Sequence, residues 1–267
     1  MAADVVSGLP DRVYSLVACA ARQPDVRAAV EANHDDNRWW PLAVTDWRVR
    51  MAAAGWSSRV SYAMISTYAD VVEHADSIGW SGLTRLNDAR LGAMVRPLGL
   101  VTSRIKYLRS LADFVNHADR TGVDLSGMHP ENLIRLFASS VYGAGYKVAQ
   151  CATLYARGYH CGIIPVDSGM VTRLAPFLGV RLSPGPAAHE EFRRILEAGT
   201  VLMADRYRDL ASGLGYQVRI PDEAVPTWLV HLVLIYFKRL YLNRPGARLC
   251  PRRPACPAFL DCSCAIR

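Results

Sequence analysis

Residues 140–179 read SVYGAGYKVAQCATLYARGYHCGIIPVDSGMVTRLAPFLG, and the fold is decided in this stretch. A Gly-Ala-Gly turn, Gly143 to Gly145, separates a short helical segment from a longer apolar one that contains neither proline nor glycine up to Arg157. The first amide groups of a helix have no partner inside it and point outward, and the helix dipole favours an anion in front of them. Gly143 and Gly145 permit positive φ and close backbone approach, so this turn can hold a phosphate. As a plain connection between helices it needs no ligand. Lys147 falls on the first turn of the following helix. The loop Ile163-Ile164-Pro165-Val166 then leads to Asp167, a residue type suited to start another helix.

Gly143, Gly145 and Lys147, followed after one helix and one short loop by Pro165, Val166 and Asp167, resemble a known pattern. It is the Gly-x-Gly-x-Lys hairpin and Pro-Val-Asp segment of the helix-hairpin-helix DNA glycosylase superfamily, the group of endonuclease III, the adenine glycosylases and the 8-oxoguanine glycosylases. Upstream, Leu98-Gly-Leu-Val-Thr-Ser-Arg-Ile-Lys106 is similar to the family's Gly-Leu-hydrophobic-x-x-Lys/Arg segment that opens a helix. The resemblance runs from about Asp46 onward, with an insertion between Gly179 and Trp228. It implies an all-α, two-lobed fold: a helical barrel over residues 46–162 that carries the hairpin, and a second lobe made of residues 1–45 and 163–267. It also implies a monomeric DNA glycosylase with AP lyase activity that binds double-stranded DNA between the lobes.

The chemistry of base excision accounts for the residue types. Positive charge develops on the deoxyribose as the base leaves, so a nearby carboxylate stabilises it and can deprotonate a nucleophile. The resemblance gives that role to Asp167. A lysine amine attacking C1′ forms a Schiff base, and β-elimination then nicks the strand. Lys147 stands where bifunctional members carry this lysine. An N-cap is the ordinary use of such an Asp, and a solvated cation near DNA the ordinary use of such a Lys. Lys147 to Cys151, Lys-Val-Ala-x-Cys, looks like the 8-oxoguanine glycosylases, which implies a base-pocket Cys151; a small buried helix residue is the commoner use. By its place before the second helix, Trp56 resembles the residue that fills the gap left by a flipped base, although a Trp at a helix junction is more often core. Arg59, Arg104, Lys106 and Arg109 are candidate phosphate contacts or parts of a solvated face.

Some positions depart from the family pattern. Val141-Tyr142 replaces Leu-Pro before the hairpin, and Ser168-Gly169 replaces Thr-His or Gly-Asn after the Asp. The position of the family's Arg is Thr172, with Arg173 one place late.

Seven cysteines are present, and Cys250, Cys256, Cys262 and Cys264 crowd into the tail with the spacing C-x5-C-x5-C-x-C. Endonuclease III relatives end in C-x6-C-x2-C-x5-C around a 4Fe-4S cluster, and of those intervals Cys256 to Cys262 matches. Soft thiolates select iron-sulfur or zinc over hard cations, so a 4Fe-4S cluster, a structural zinc or a metal-free tail are the three readings. A cluster would pin Arg248, Arg252 and Arg253 against DNA phosphate.

The rest of the chain agrees with an all-α protein. Its 267 residues are 51% hydrophobic and 21% charged, enough to bury a sizeable core and too apolar for a disordered chain. Apolar residues at helical spacing predict helices over residues 44–54 and 57–74, split at Gly55. A third runs from an Asn87 or Asp88 cap to Val95 and ends at Pro97 and Gly99. Further helices are expected at residues 103–115, 129–137, 170–175, 189–214 with an interruption near Gly199, and 227–242. The apolar stretch Trp228 to Phe237 is shorter than the roughly 20 residues a membrane span needs, which makes it a buried helix. A formal charge of +7 favours a polyanionic partner over a membrane. The segment MAADVVSGLPDRVYSLVACAARQPD has no basic residues ahead of its apolar ones, so a cytoplasmic location is expected. Two rivals to a base-excising enzyme are a non-catalytic helix-hairpin-helix DNA-binding module and a glycosylase-like enzyme acting on a nucleoside or an unusual modified base.

Overall fold

The computed structural model describes residues 8–34 and 43–243, and every regular element among them is helical. None of these helices is long and apolar enough to cross a membrane. The chain divides into two compact units, one of Met1–Asp35 with His160–Arg267 and the other of Asp36–Tyr159.

In the first unit, α1 (Leu9–Ala21) and α2 (Pro24–Glu31) each start with a proline in the first turn, where the missing amide costs nothing. The sequence reading had placed no helix here. Both pack on α11 (Thr227–Phe237), whose apolar residues go all the way round; a helix of that pattern must be buried. Every residue of α11 except His231 is buried. The stretch between Gly179 and Trp228 supplies α9 (Ala187–Leu202) and α10 (Ala204–Gly213). It is built into the unit: α9 packs along α1, Tyr14 meets Tyr207 at 5.2 Å, and the Tyr216 hydroxyl donates to Ala21 O at 2.8 Å. The interruption falls at Met203 (φ −114, ψ 20), not at Gly199, which stays inside α9.

The second unit is built on α3 (Trp47–Trp56), a run with three consecutive alanines whose small side chains let α8 (Tyr146–Arg157) lie close along it. Asp46 caps α3 by accepting the Arg48 amide at 2.9 Å. Gly55 does not split the helix. A Cβ there would stand 2.2 Å from the Tyr107 ring, so this glycine lets an aromatic residue reach the backbone, and the break comes at Ser57 to Ser61. The Tyr107 and Tyr68 hydroxyls donate to Met51 O and Ala53 O at 2.7 and 3.0 Å. The next helix, α4 (Ile65–Arg85), bends at Gly79 (φ 71, ψ 163). Asn87 caps α5 (Asp88–Val95) through Oδ1, 2.9 Å from the Arg90 amide, and Gly99 (φ 68) closes the turn Arg96–Leu98 as expected. Two longer helices, α6 (Val101–Thr121) and α7 (Pro130–Ser140), complete the approach to the hairpin.

Candidate active site

The hairpin joins α7 to α8 in the second unit. Its inner side is fixed by buried Val141 and Ala144, by the Ala144 amide donating to Val141 O at 3.1 Å, and by the Tyr142 amide donating to Ser110 Oγ at 2.9 Å. The outer side carries Tyr142, Gly143 and Gly145, all exposed. Gly143 has φ 73, the left-handed region that only glycine enters cheaply. Gly145 is different. With φ −68 and ψ 173 its backbone suits any residue, and a Cβ would meet nothing within 4 Å. Among the described residues nothing therefore requires a glycine at 145, and the space in front of its backbone is open. No side chain caps α8, and half-buried Lys147 stands on its first turn. Exposed Lys106 lies over the Tyr142 ring at 5.7 Å, which adds a second cation beside the turn.

Asp167 belongs to the first unit. Its Oδ1 accepts the Met170 amide at 2.8 Å, so it does cap the following turn. That turn, Met170–Leu174, is π-helical and continues into the short helix Ala175–Phe177. A π turn holds one more residue than an α turn. Arg173 stands within this turn. The Arg173 guanidinium donates to Leu242 O. The second carboxylate oxygen of Asp167 accepts from Lys238 Nζ. The Lys238 side chain is 3% exposed and that of Asp167 is 28% exposed. Neither composition nor spacing singled out Lys238, which in the sequence directly follows the apolar stretch Trp228 to Phe237.

The loop entering Asp167 is held from α9. Glu197 Oε1 accepts the Ile164 amide at 2.9 Å, and its other oxygen is paired with Arg193, which also holds Glu190 at 2.8 Å. Burial pushes the Glu197 carboxyl up to about 7, against the pull of Arg193 and the Ile164 amide and with Glu190 adding to the rise. A carboxyl with a folded-state pKa above its unfolded one binds a proton on folding between the two values. Its contribution to stability is complete below about 4.5 and is lost as pH rises through about 7. The Glu197→Gln variant keeps the acceptor for Ile164 and has no such dependence. Between pH 4.5 and 7.5, urea titrations are expected to show the wild type losing about 3 kcal/mol more than the variant. Equal losses would mean that Glu197 does not titrate in this range.

Near Asp167, in the same unit, a cleft of about 910 Å³ is lined by Ser168, Thr172, Arg181, Ser183 and His189 among other residues. Among the described residues no carboxylate lines it.

Several sequence-based assignments require correction. Trp56 is 0% exposed, and its indole N–H donates to Arg104 O at 3.4 Å. It is a core residue and unavailable to fill a gap in a duplex. Arg104 is buried as well, its guanidinium donating to the carbonyls of Trp56, Ser58, Leu98 and Gly99, so burial takes it out of reach of a phosphate. Arg109 binds Thr84 O at 2.9 Å, Leu86 O and Asp88 at 2.8 Å, closing the C-terminal end of α4. Arg59 is exposed, with φ 58. Cys151 is 5% exposed on α8 near Tyr68 and Tyr107. The tail assignments, Cys250, Cys256, Cys262, Cys264, Arg248, Arg252 and Arg253, lie outside the described residues. Among those described, no group of three or more His, Cys, Asp or Glu residues could hold a metal ion.

No family model matches this sequence, and no curated protein matches it either. Among solved structures the chain is similar to an H. pylori 3-methyladenine DNA glycosylase (MagIII) bound to 1,N6-ethenoadenine, with a TM-score of 0.51 and 16% identity over 77% of this chain and 90% of that one. That likeness extends across both units and agrees with the pattern read from Gly143 to Asp167. The chain has the fold of the helix-hairpin-helix DNA glycosylases.

Proposed function

We propose that this protein is a DNA glycosylase with AP lyase activity, which removes a damaged or modified base from duplex DNA. The observation that carries the reading is the glycosylase fold, shared over most of both chains, with a lysine-bearing hairpin whose outer face is open. In the proposed reaction the hairpin amides and the exposed glycines take a backbone phosphate. The Lys147 amine attacks C1′ of the flipped nucleotide, the C1′–N bond breaks, and the base leaves with a proton. Asp167 offsets the positive charge on the sugar. The C1′–O4′ bond then opens, O4′ taking a proton, to leave a Schiff base between C1′ and the lysine; loss of a C2′ proton and departure of the 3′ phosphate break the C3′–O bond and nick the strand. The four tail cysteines, Cys250, Cys256, Cys262 and Cys264, would hold a structural 4Fe-4S cluster, zinc being the alternative for the same four thiolates.

A second reading is favoured by the solved neighbour, which is a 3-methyladenine DNA glycosylase bound to an alkylated adenine. Here the chain would be a monofunctional enzyme for alkylated bases, with water as the nucleophile, Asp167 as its base and Lys147 as a cation facing phosphate.

One experiment separates the two. Protein whose iron and zinc have been measured is incubated with duplexes carrying an abasic site, 8-oxoguanine, an oxidised pyrimidine, 3-methyladenine or 1,N6-ethenoadenine, with and without borohydride. The expected result is an iron-bearing protein that forms a covalent adduct, lost in Lys147→Ala. Base release without an adduct would replace the lyase by the monofunctional enzyme. Neither release nor adduct from folded protein would leave only a DNA-binding module.

A further inference from the structure

Two π-helical turns, Met170–Leu174 and Lys238–Leu242, pack against each other in the first unit. Turns of this kind are rare and are frequently found at functional sites. Both carry the charged groups already described. Asp167 caps the first turn, and Lys238 is the first residue of the second. Two bonds cross between them, from Lys238 Nζ to Asp167 Oδ2 and from Arg173 to Leu242 O. Gly169 makes the room. A Cβ there would stand 3.2 Å from both Cδ and Nζ of Lys238 and 3.3 Å from Asp167 Oδ1, tighter than ordinary contact. An apolar side chain would fill the Lys238 site at lower desolvation cost than an ammonium. Packing therefore does not explain the lysine, and the carboxylate does.

The geometry points to Lys238 as a positioning residue for Asp167. The ammonium holds Oδ2 while the Met170 amide holds Oδ1, so the carboxylate cannot turn about its own bonds and keeps one orientation toward the deoxyribose. The inference rests on the reading of Asp167 as the carboxylate of a DNA glycosylase. Because Lys238 is buried and committed to Asp167, it acts through that residue and leaves attack on the sugar to another group. Orientation is what such a tether supplies, and a misplacement of about 1 Å can cost up to about a hundredfold in rate.

The test uses the full-length protein and the duplex that the wild type processes best. Single-turnover excision rates and DNA affinities are measured for wild type, Lys238→Met and Lys238→Arg. In parallel, the Asp167 carboxyl 13C resonance is followed in protein labelled at aspartate carboxyls and assigned by its absence in Asp167→Asn. The methionine variant is expected to lose about ten- to a hundredfold in rate with DNA affinity within about twofold, and its Asp167 resonance is expected to move. The arginine variant, which keeps the charge, should regain most of the rate. A merely structural lysine would not produce this division between rate and affinity. Folded Lys238→Met that excises within about twofold of wild type overturns the proposal, as does an unmoved resonance. Should the methionine variant not fold, folded Lys238→Arg slower than wild type by more than about a hundredfold overturns it instead. A wild type that releases no base from any duplex removes the glycosylase reading and with it the catalytic role; the resonance still reports whether the tether exists.

Discussion

Replacing Asp167 by alanine is expected to lower base excision by about 10²- to 10⁴-fold and to destabilise the protein as well, by about 3–5 kcal/mol. The second effect follows from burial. The Lys238 side chain is 3% exposed, and the carboxylate is an ion-pair partner of it, so the alanine variant takes a counter-charge away from an ammonium inside the unit. The variant also loses the acceptor for the Met170 amide, a cap of about 1 kcal/mol. In a chain of this size each kcal/mol is worth about 2–4 °C in Tm, so a fall of about 6–20 °C is expected. Combining Asp167→Ala with Lys238→Met removes both charges and should return the stability to within about 1 kcal/mol of the single Lys238→Met variant, the remainder being the lost cap. Excision should not return with it. Thermal melts and single-turnover assays of the four proteins separate the two roles. An alanine variant as stable as the wild type would mean that the ion pair contributes nothing to the fold.

The other large effect belongs to Arg104. Its guanidinium lies between the C-terminal end of α3 and the turn before α6, donating to Gly99 O at 2.8 Å, Leu98 O at 3.0 Å, Ser58 O at 3.2 Å and Trp56 O. The last carbonyls of a helix lack partners within it and carry the negative end of the dipole, so one buried cation meets two chain ends that each need a donor. Arg104→Leu leaves those carbonyls without it. Buried unsatisfied groups cost about 1–3 kcal/mol each, and with partial access of water a total loss of about 3–5 kcal/mol is expected in urea titrations. Arg104→Lys should recover only part, since an ammonium cannot reproduce the planar fork. A phosphate contact predicts the opposite pattern: unchanged stability and a salt dependence of DNA binding reduced by about one phosphate. Measuring both on one variant decides between the roles.

Arg104 also illustrates where reading the sequence stops. The segment from Leu98 to Lys106 places a helix start and two cations, Arg104 and Lys106, together, and both are correct. Which cation faces outward depends on the ends of α3 and of the turn before α6 meeting over position 104, and Ser58 lies 46 residues away. Lys106 is exposed beside Tyr142, and Arg104, two residues earlier, is buried. Trp56 was equally ambiguous, because an indole at a helix junction has the same spacing whether it points in or out. The Gly55 reading failed for a related reason: a glycine that admits a distant tyrosine ring looks, in sequence, like a glycine that breaks a helix.

The sequence by itself determined what depends on neighbouring residues: a cap at Asn87 or Asp88, a helix start at Asp167, a glycine turn at Gly143 to Gly145, the hairpin order Gly143, Gly145, Lys147, and the buried helix that begins at Thr227. These are set by backbone sterics, local hydrogen bonds and helical period, all of which act within a few positions. Only the tertiary structure decided that Asp167 is paired with Lys238, 71 residues further on, and that α1 and α2 close the same unit. A lysine in an apolar helix carries no mark of its partner. The partner is fixed when two distant π turns pack together, and burial then makes the pair obligatory.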